Sequence, residues 1–314
     1  MNAPTDPTKE RSQHEDDVLK RIAKIVSPGA RTPGEVYVGD DAAVLTGFVG
    51  QAIVSTDVAV LGIHLDPELF SLGDLGYKAV TSALSDLAAM GARARGVVLA
   101  VTAPTGTDLV ALHEGAAEAA ASVGTVIVGG DLSEGRDVAV AVTVLGECAG
   151  GGAILRSGAR VGDELLVSGP LGRAAAGLRR AREGAPLDDE LVLAHRRPWP
   201  RLREGMAARG ARVHAMMDLS DGLALDLHRM ADASRVGFEL TSVPMALGAT
   251  LEEAISGGED YELLIASADV AHLASVFGAR GLSEPLVIGR VVADVENRTL
   301  EGSELVRRGY EHRL

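Results

Sequence analysis

Apolar residues recur along this chain with two different periods. Runs at 52–55, 95–101, 125–128 and 138–145 are short and rich in β-branched side chains, which predicts strands. Between the first two, Leu75, Ala79, Val80, Ala83, Leu84 and Leu87 share one face of a helix predicted over 74–90, with Gly91 placed to cap its C-terminus. A further helix is predicted over 111–122 and a short one over 18–26. Residues 1–17 are polar and carry two prolines, which predicts a disordered tail.

The pattern breaks at Ala149-Gly-Gly-Gly152, and a boundary between two domains is expected near 150. Beyond it, strands are predicted over 164–168, 212–217, 237–241, 261–266 and 286–291, with helices over 173–182, 201–209 and 270–277. Both halves mix the two element types. The expected fold class is therefore α+β or α/β for each, with an N-terminal domain over 18–150 and a C-terminal domain over 151–314. No short-period repeat is visible.

Composition narrows this picture. The chain has 314 residues, 46% of them hydrophobic but only 3% aromatic, so two cores can form but must be packed from small aliphatic side chains. A formal net charge of -14 excludes a basic surface for nucleic acid or anionic lipid. The N-terminal stretch lacks an apolar signal segment and no apolar run is long enough to span a bilayer, so a cytoplasmic location is expected. The single cysteine, Cys148, leaves no intramolecular disulfide and fits a reducing compartment. Lysine occurs only at positions 9, 20, 24 and 78, so the counter-charge for any phosphate must come from arginine, helix N-termini or bound metal.

The candidate chemistry lies in aspartates that collect beside Gly, Ser or Thr where apolar runs end. They are Asp40 and Asp41 in VGDDAAVL, Asp57 in STDVAV, Asp131 in VGGD, and Asp218 and Asp221 in MMDLSDGLALDL. Each alone has an ordinary explanation in a turn or cap, and Ser220 is placed to N-cap a helix carrying Leu223, Leu227, Met230 and Ala231. Asp86 sits inside the 74–90 helix, where Lys78, Ser82 and Asp86 form a polar stripe that faces either water or a site. Carboxylates gathered this densely repel one another unless cations hold them. Mg²⁺ is the expected ion, since it takes one or two carboxylates and completes its shell with water and phosphate oxygens. No GxxxxGK[ST] phosphate loop, HExxH zinc helix or dinucleotide fingerprint competes. Cys148 and His64, taken alone, read as structural.

The segments VGDDAAVL, STDVAVLGIHLD, DLGYKAV, LSDLAAMGA, GGD, RSGARVGDELLVSG, MDLSDGLALDL and SGGEDYELL run in order from about residue 35 to 265, and RRGYEH closes the chain. In this the chain resembles the thiamine-monophosphate kinases, of the superfamily that includes aminoimidazole ribonucleotide synthetase and selenophosphate synthetase. The resemblance implies a two-domain ATP-binding fold in which the N-terminal sheet forms a homodimer and a C-terminal α+β domain completes the site. It implies ATP-dependent phosphorylation of thiamine monophosphate to thiamine diphosphate, with several Mg²⁺ ions. By motif, Asp40, Asp41, Ser55, Thr56, Asp57, Asp86, Asp131, Asp218 and Asp221 are the implied metal ligands. Gly130, Asp131, Arg156 and Ser220 are the implied ATP contacts, and His64, Glu259 and Tyr310 the implied substrate contacts. The nucleophile would be a phosphate oxygen already ionised at neutral pH, so no dedicated general base is expected.

The chain departs from the family pattern at Ala83, at Leu65, at the Leu-Ser after GGD and at Arg307. These changes bear on the acceptor pocket more than on the metal site. Two other readings remain: an ATP-using relative with a different acceptor, and a Mg-nucleotide sensor that keeps the scaffold without catalysis. The absence of a cysteine near the N-terminal motif and at the chain end argues against the selenophosphate and hydrogenase-maturation branches.

Overall fold

The computed structural model describes residues 7–26, 34–38 and 42–311, so the predicted ligands Asp40 and Asp41 lie outside the described residues. Helix α1, Pro7–Val26, starts well before residue 18, within the stretch predicted as a disordered tail. Proline at a first helical position costs nothing, because its missing N–H has no partner there and its φ is already helical.

A four-stranded sheet follows, built from β1 (Gln51–Val60), β2 (Arg93–Ala103), β3 (Ile127–Glu134) and β4 (Ala139–Cys148) in the order β1-β4-β2-β3. Strands β2 and β3 are parallel, and helix α3, Leu109–Ser122, makes the crossover that parallel pairing requires. Asp57 and Asp131 are interior to β1 and β3, whereas the sequence pattern puts them at strand ends. The polar runs Ser-Thr-Asp and Gly-Gly-Asp read as turns, yet they belong to the two edge strands, where polar side chains do not interrupt pairing.

Helix α2, Leu72–Ala89, is pinned at both ends. At its start Asp74 N donates to Ser71 Oγ while Asp74 Oδ2 accepts from Ser71 N, a reciprocal capping box. At its end Gly91, with φ of 67°, donates to the Ala88 carbonyl and Ala92 to the Leu87 carbonyl. That is a Schellman turn on the predicted glycine. The polar stripe does not face water as a whole: Lys78 is 2% exposed and its Nζ donates to the His64 carbonyl. Against α3 the helix comes close enough for backbone to meet backbone at two glycines. A Cβ on Gly115 would stand 1.8 Å from the Gly73 carbonyl oxygen, and one on Gly76 would stand 2.0 Å from that of Leu112.

The rest of the chain forms a seven-stranded sheet from β5 (Glu164–Val167), β6 (Ala215–Asp218), β7 (Gly237–Leu240), β8 (Leu263–Ser267), β9 (Leu286–Val292), β10 (Arg298–Leu300) and β11 (Ser303–Glu304). Its order is β11-β10-β7-β9-β5-β8-β6, and every pairing but β7 with β10 is antiparallel. Its helices are α4 (Arg173–Arg182), α5 (Glu190–Arg196), α6 (Leu202–Gly210), α7 (Leu223–Ser234), α8 (Leu251–Ser256) and α9 (Val270–Ala279). Leu165, Val167, Met217, Leu227, Phe238 and Leu264 are among the residues of its aliphatic core. Strand β6 begins later than predicted because Arg212, with φ of 60°, is left-handed and cannot continue a strand.

By contact, the described residues fall into two compact units. One takes residues up to 48, 56–80 and 96–143; the other takes 49–55, 81–95 and 144–314. In the first, Gly115→Ala sets a gain in helix propensity of about 1 kcal/mol against a collision with rigid backbone. Overpacking of this kind costs about 1–3 kcal/mol or more, so a net loss of stability is expected in a urea unfolding curve. A Gly115→Ala variant as stable as the wild type would show that the α2–α3 approach is looser than described.

Candidate active site

Strand β6 is buried along its whole length and ends at Asp218. Ser85, on α2, donates from Oγ to Asp218 Oδ2 at 2.7 Å. The next residue of that helix, Asp86, accepts from Ser55 Oγ at 2.5 Å. Burial and then the nearby charge of Asp86 push the Asp218 carboxyl up from 3.8 to about 7, and the Ser85 hydroxyl only partly offsets them. The structure thus brings three of the predicted ligands, Ser55, Asp86 and Asp218, into one neighbourhood.

The chain leaves β6 through Leu219, Ser220, Asp221 and Gly222 into α7. The N-cap is Gly222, with no side-chain cap, so the predicted capping role of Ser220 is not found. Capping comes instead from inside the helix: Asp226, with its side chain fully buried, accepts from both Ser220 N and Asp221 N at Oδ2. Arg229 reaches back over the same turn and donates to Asp221 at 2.5 Å and to Asp226 at 2.7 Å. Nothing in the local pattern separates Asp226 from the solvent-facing acids of a helix, and only its burial reveals the role.

Two further loops are stitched to this turn by main-chain hydrogen bonds. Glu259 N donates to the Ser220 carbonyl, Tyr261 N to that of Leu219, and Tyr310 N to that of Asp221. Glu259 and Tyr261 both have positive φ, at 69° and 50°, a conformation that non-glycine residues hold only when their surroundings impose it. The backbone thus brings Ser220, Asp221, Glu259 and Tyr310 to one turn. His195 lies 3.7 Å from the Glu259 carboxylate and was not singled out by sequence.

The acids of the Glu-Asp-Tyr-Glu run divide by role. Asp260 accepts from Gly172 N and Ala174 N at the start of α4, and its carboxyl is pushed up to about 7, mainly by burial. Glu262 is 2% exposed, accepts from Ser168 Oγ and pairs with Arg201. Both carry structure within the larger unit, whereas the Glu259 carboxylate faces His195.

In the other unit the predicted residues are more dispersed. Thr56 Oγ1 donates to the Val142 carbonyl, and Asp57 Oδ1 accepts from Val58 N. Asp131 accepts from Ser133 Oγ. Asp57 and Asp131 occupy opposite edge strands, roughly 14 Å apart measured along the sheet, so the chain does not bring this pair together. Gly130 has the close approach that requires glycine, since a Cβ there would stand 2.2 Å from the Leu99 carbonyl oxygen. His64 Nδ1 accepts from Val60 N at 3.0 Å, which places the ring hydrogen on Nε2. Arg156, in the same unit as Asp218, lies exposed in a 3₁₀ turn, Arg156–Gly158, anchored through its carbonyl to Ser234 Oγ.

Among the described residues no three His, Cys, Asp or Glu side chains form a group that could hold a metal ion. The donor set that does converge is all oxygen, with two carboxyls and a serine hydroxyl, and a carboxyl that retains its proton to about pH 7 beside a second acid is one a hard cation would stabilise in ionised form. Cys148 is buried, with its thiol pushed up by that burial, and does not suit a nucleophile.

Comparison with known proteins identifies the family and the fold. Residues 39–148 match the N-terminal domain of AIR synthase related protein and residues 160–300 match its C-terminal domain. A thiamine-monophosphate kinase of Mycobacterium tuberculosis is 37% identical over 265 residues, which is 79% of this chain and 78% of that protein. The crystal structure of thiamine-monophosphate kinase from Stenotrophomonas maltophilia superposes with a TM-score of 0.79 at 31% identity, covering 93% of this chain and 96% of that one. AaThiL complexed with AMPPCP and TMP superposes with a TM-score of 0.74 at 25% identity, covering 99% of this chain and 100% of that one.

The raised Asp218 carboxyl has a consequence for stability that can be measured with divalent cations chelated. A folded state that holds this proton more tightly than the unfolded chain has its full stabilisation below 3.8 and loses it as pH climbs through about 7. Asp218→Asn removes the ionisation and keeps an acceptor for Ser85. The variant should match wild type in unfolding free energy from urea curves near pH 4 and exceed it at about pH 8, by on the order of a few kcal/mol. A difference that does not change with pH would remove the buried ionisation from the account.

Proposed function

Because the chain belongs to the thiamine-monophosphate kinase family of AIR synthase related proteins, we propose that it transfers a phosphoryl group from ATP to thiamine monophosphate, giving thiamine diphosphate and ADP. The observation that carries this reading is the likeness along nearly the whole chain to a protein complexed with AMPPCP and TMP, an ATP analogue and the phosphate acceptor. The transfer is in line and direct. The attacking phosphate oxygen is already ionised at neutral pH, so the chain need only align donor and acceptor and offset their charge.

Asp86, Asp218 and Ser55 would hold one Mg²⁺; Thr56, Asp57, Asp131 and Asp221 and, beyond the described residues, Asp40 and Asp41 are proposed as ligands of further ions, with Asp57 and Asp131 on different ones. Mg²⁺, when bound, neutralises phosphate oxygens of both substrates. Arg156 is exposed and offers a planar, bidentate hold on a phosphate, while the Ser220 hydroxyl adds a donor. Gly130 lets a nucleotide approach the β3 backbone. His64 presents Nε2–H as a donor toward the acceptor. Glu259, fixed by its left-handed backbone, sets a carboxylate against the positively charged thiazolium ring, and Tyr310, 45% exposed, can stack on an aromatic ring.

We infer a homodimer through the N-terminal sheet. Val54 and Val58 of the edge strand β1 are 63% and 47% exposed, an apolar edge that a second copy would cover. The two functional halves are taken as 18–150 and 151–314. No helix among the described residues is long and apolar enough to cross a membrane, and with ATP as donor we place the reaction in the cytoplasm.

The direct assay incubates the protein with ATP, Mg²⁺ and thiamine monophosphate and follows thiamine diphosphate and ADP, expected in equal amounts and abolished by chelation. Tight ATP binding without product would instead support a nucleotide sensor. Asp221→Asn should lower turnover roughly a hundredfold while the thermal midpoint holds, because the turn keeps its Asp226 cap and Arg229 keeps one carboxylate. Wild-type turnover in that variant would take Asp221 out of the metal-binding set.

A further inference from the structure

At the start of β6, on the opposite end of the strand from Asp218, an open cleft of about 910 Å³ is cut into the larger unit. Its polar lining comes from Ser157, Arg160, Arg209, Arg212, Arg280 and His214, and among the described residues no Asp or Glu lines it. In a chain of net charge -14 that is a local inversion of sign. The backbone of 149–155 closes one wall, and Leu155 and Met206 supply an apolar shelf.

The four guanidinium groups are not equivalent. Arg209 is committed to the wall, donating to the carbonyls of Gly91, Ala149 and Gly150. Arg160, Arg212 and Arg280 are exposed, and among the described residues no carboxylate pairs with any of them. Arg160 is nonetheless held in place. Asp163, 2% exposed, accepts from Arg160 N at 2.8 Å and lies 2.8 Å from His214 Nδ1. A carboxylate can only accept, so Nδ1 carries the hydrogen and the Nε2 lone pair faces Arg160 Nη1 at 3.2 Å. A buried acid thereby orients a ring that orients a cation.

We propose that this cleft is a second anion site, which binds a small ligand carrying two or more phosphate groups. Cations converging without acidic partners repel one another, and a multiply charged anion relieves that repulsion while accepting several charge-assisted hydrogen bonds. The concave shape suits a small molecule better than a nucleic acid or an acidic protein face, which spread their charge over a flatter contact. Leu155, 54% exposed, and Met206 provide a surface for a ring attached to the phosphates. The site is separate from the carboxylate one: four residue steps along β6 put His214 roughly 13 Å from Asp218.

The test is calorimetric titration of the full chain with inorganic diphosphate, with divalent cations chelated so that the carboxylate site lacks the ions that would offset phosphate charge there. One diphosphate per chain is expected, weakening as salt is raised. The combined Arg160→Gln, Arg212→Gln and Arg280→Gln variant should bind roughly tenfold or more weakly, while Asp218→Asn leaves the affinity unchanged. Should the triple variant fold poorly, Arg280→Gln alone, at an exposed position, should still weaken binding measurably. Absence of binding to the wild type, indifference to the arginine substitutions, or loss on Asp218→Asn would each overturn the proposal. Titration with ADP and with thiamine diphosphate separates the sources: tighter binding than inorganic diphosphate supports the apolar shelf, and equal binding removes it.

Discussion

Two carboxyl groups, Asp86 and Asp218, lie within each other's field where little water reaches them, and the arrangement around them follows from that proximity. Burying one acid beside another is unfavourable, so each must be given a hydroxyl: Ser85 serves Asp218 and Ser55 serves Asp86. Successive helical residues point about 100° apart, which is how Ser85 and Asp86 address different partners from one turn of α2. That division works only if the helix cannot rotate or slide. The capping box at Ser71 and Asp74 and the Schellman turn at Gly91 fix its two ends. The Asp86 and Asp218 carboxyls thus each take a hydroxyl from a helix or strand held by its own backbone.

The scarcity of aromatic residues shapes the rest. With few large side chains, helices approach until backbone meets backbone, as Gly115 does against Gly73, and cores are filled by Leu, Val, Ala and Met. The gain is precision, since carbonyls and Cα atoms do not adopt alternative rotamers. The cost is intolerance: a single methyl group has nowhere to go.

Much of this was legible in the chain. Helix α2 and its C-terminal limit follow from apolar spacing and a terminal glycine, even though Gly73 and Gly76 lie inside it. Edge strands were harder, because β1 and β3 carry Ser-Thr-Asp and Gly-Gly-Asp in mid-strand and only sheet order shows them paired on one side. The turn after β6 was misread in one respect: Ser220 has the chemistry of a cap, but a buried acid within the helix, Asp226, takes the role. Nor does the run Glu259, Asp260, Tyr261, Glu262 reveal which acids are structural. That depends on Gly172 and Arg201, which are distant in sequence and adjacent only after folding.

The two compact units are interleaved along the chain, since 49–55 and 81–95 belong with 144–314 while 56–80 and 96–143 belong together. During synthesis the ribosome therefore releases pieces of the later unit long before their partners exist. The segment carrying Ser55, and the one carrying Ser85 and Asp86, must wait as unsatisfied ends for β6 to arrive. Such long-range closure slows folding and exposes strands to mispairing meanwhile. It also means that a chain cut at the glycine break near 150 would part each early segment from the residues it packs against.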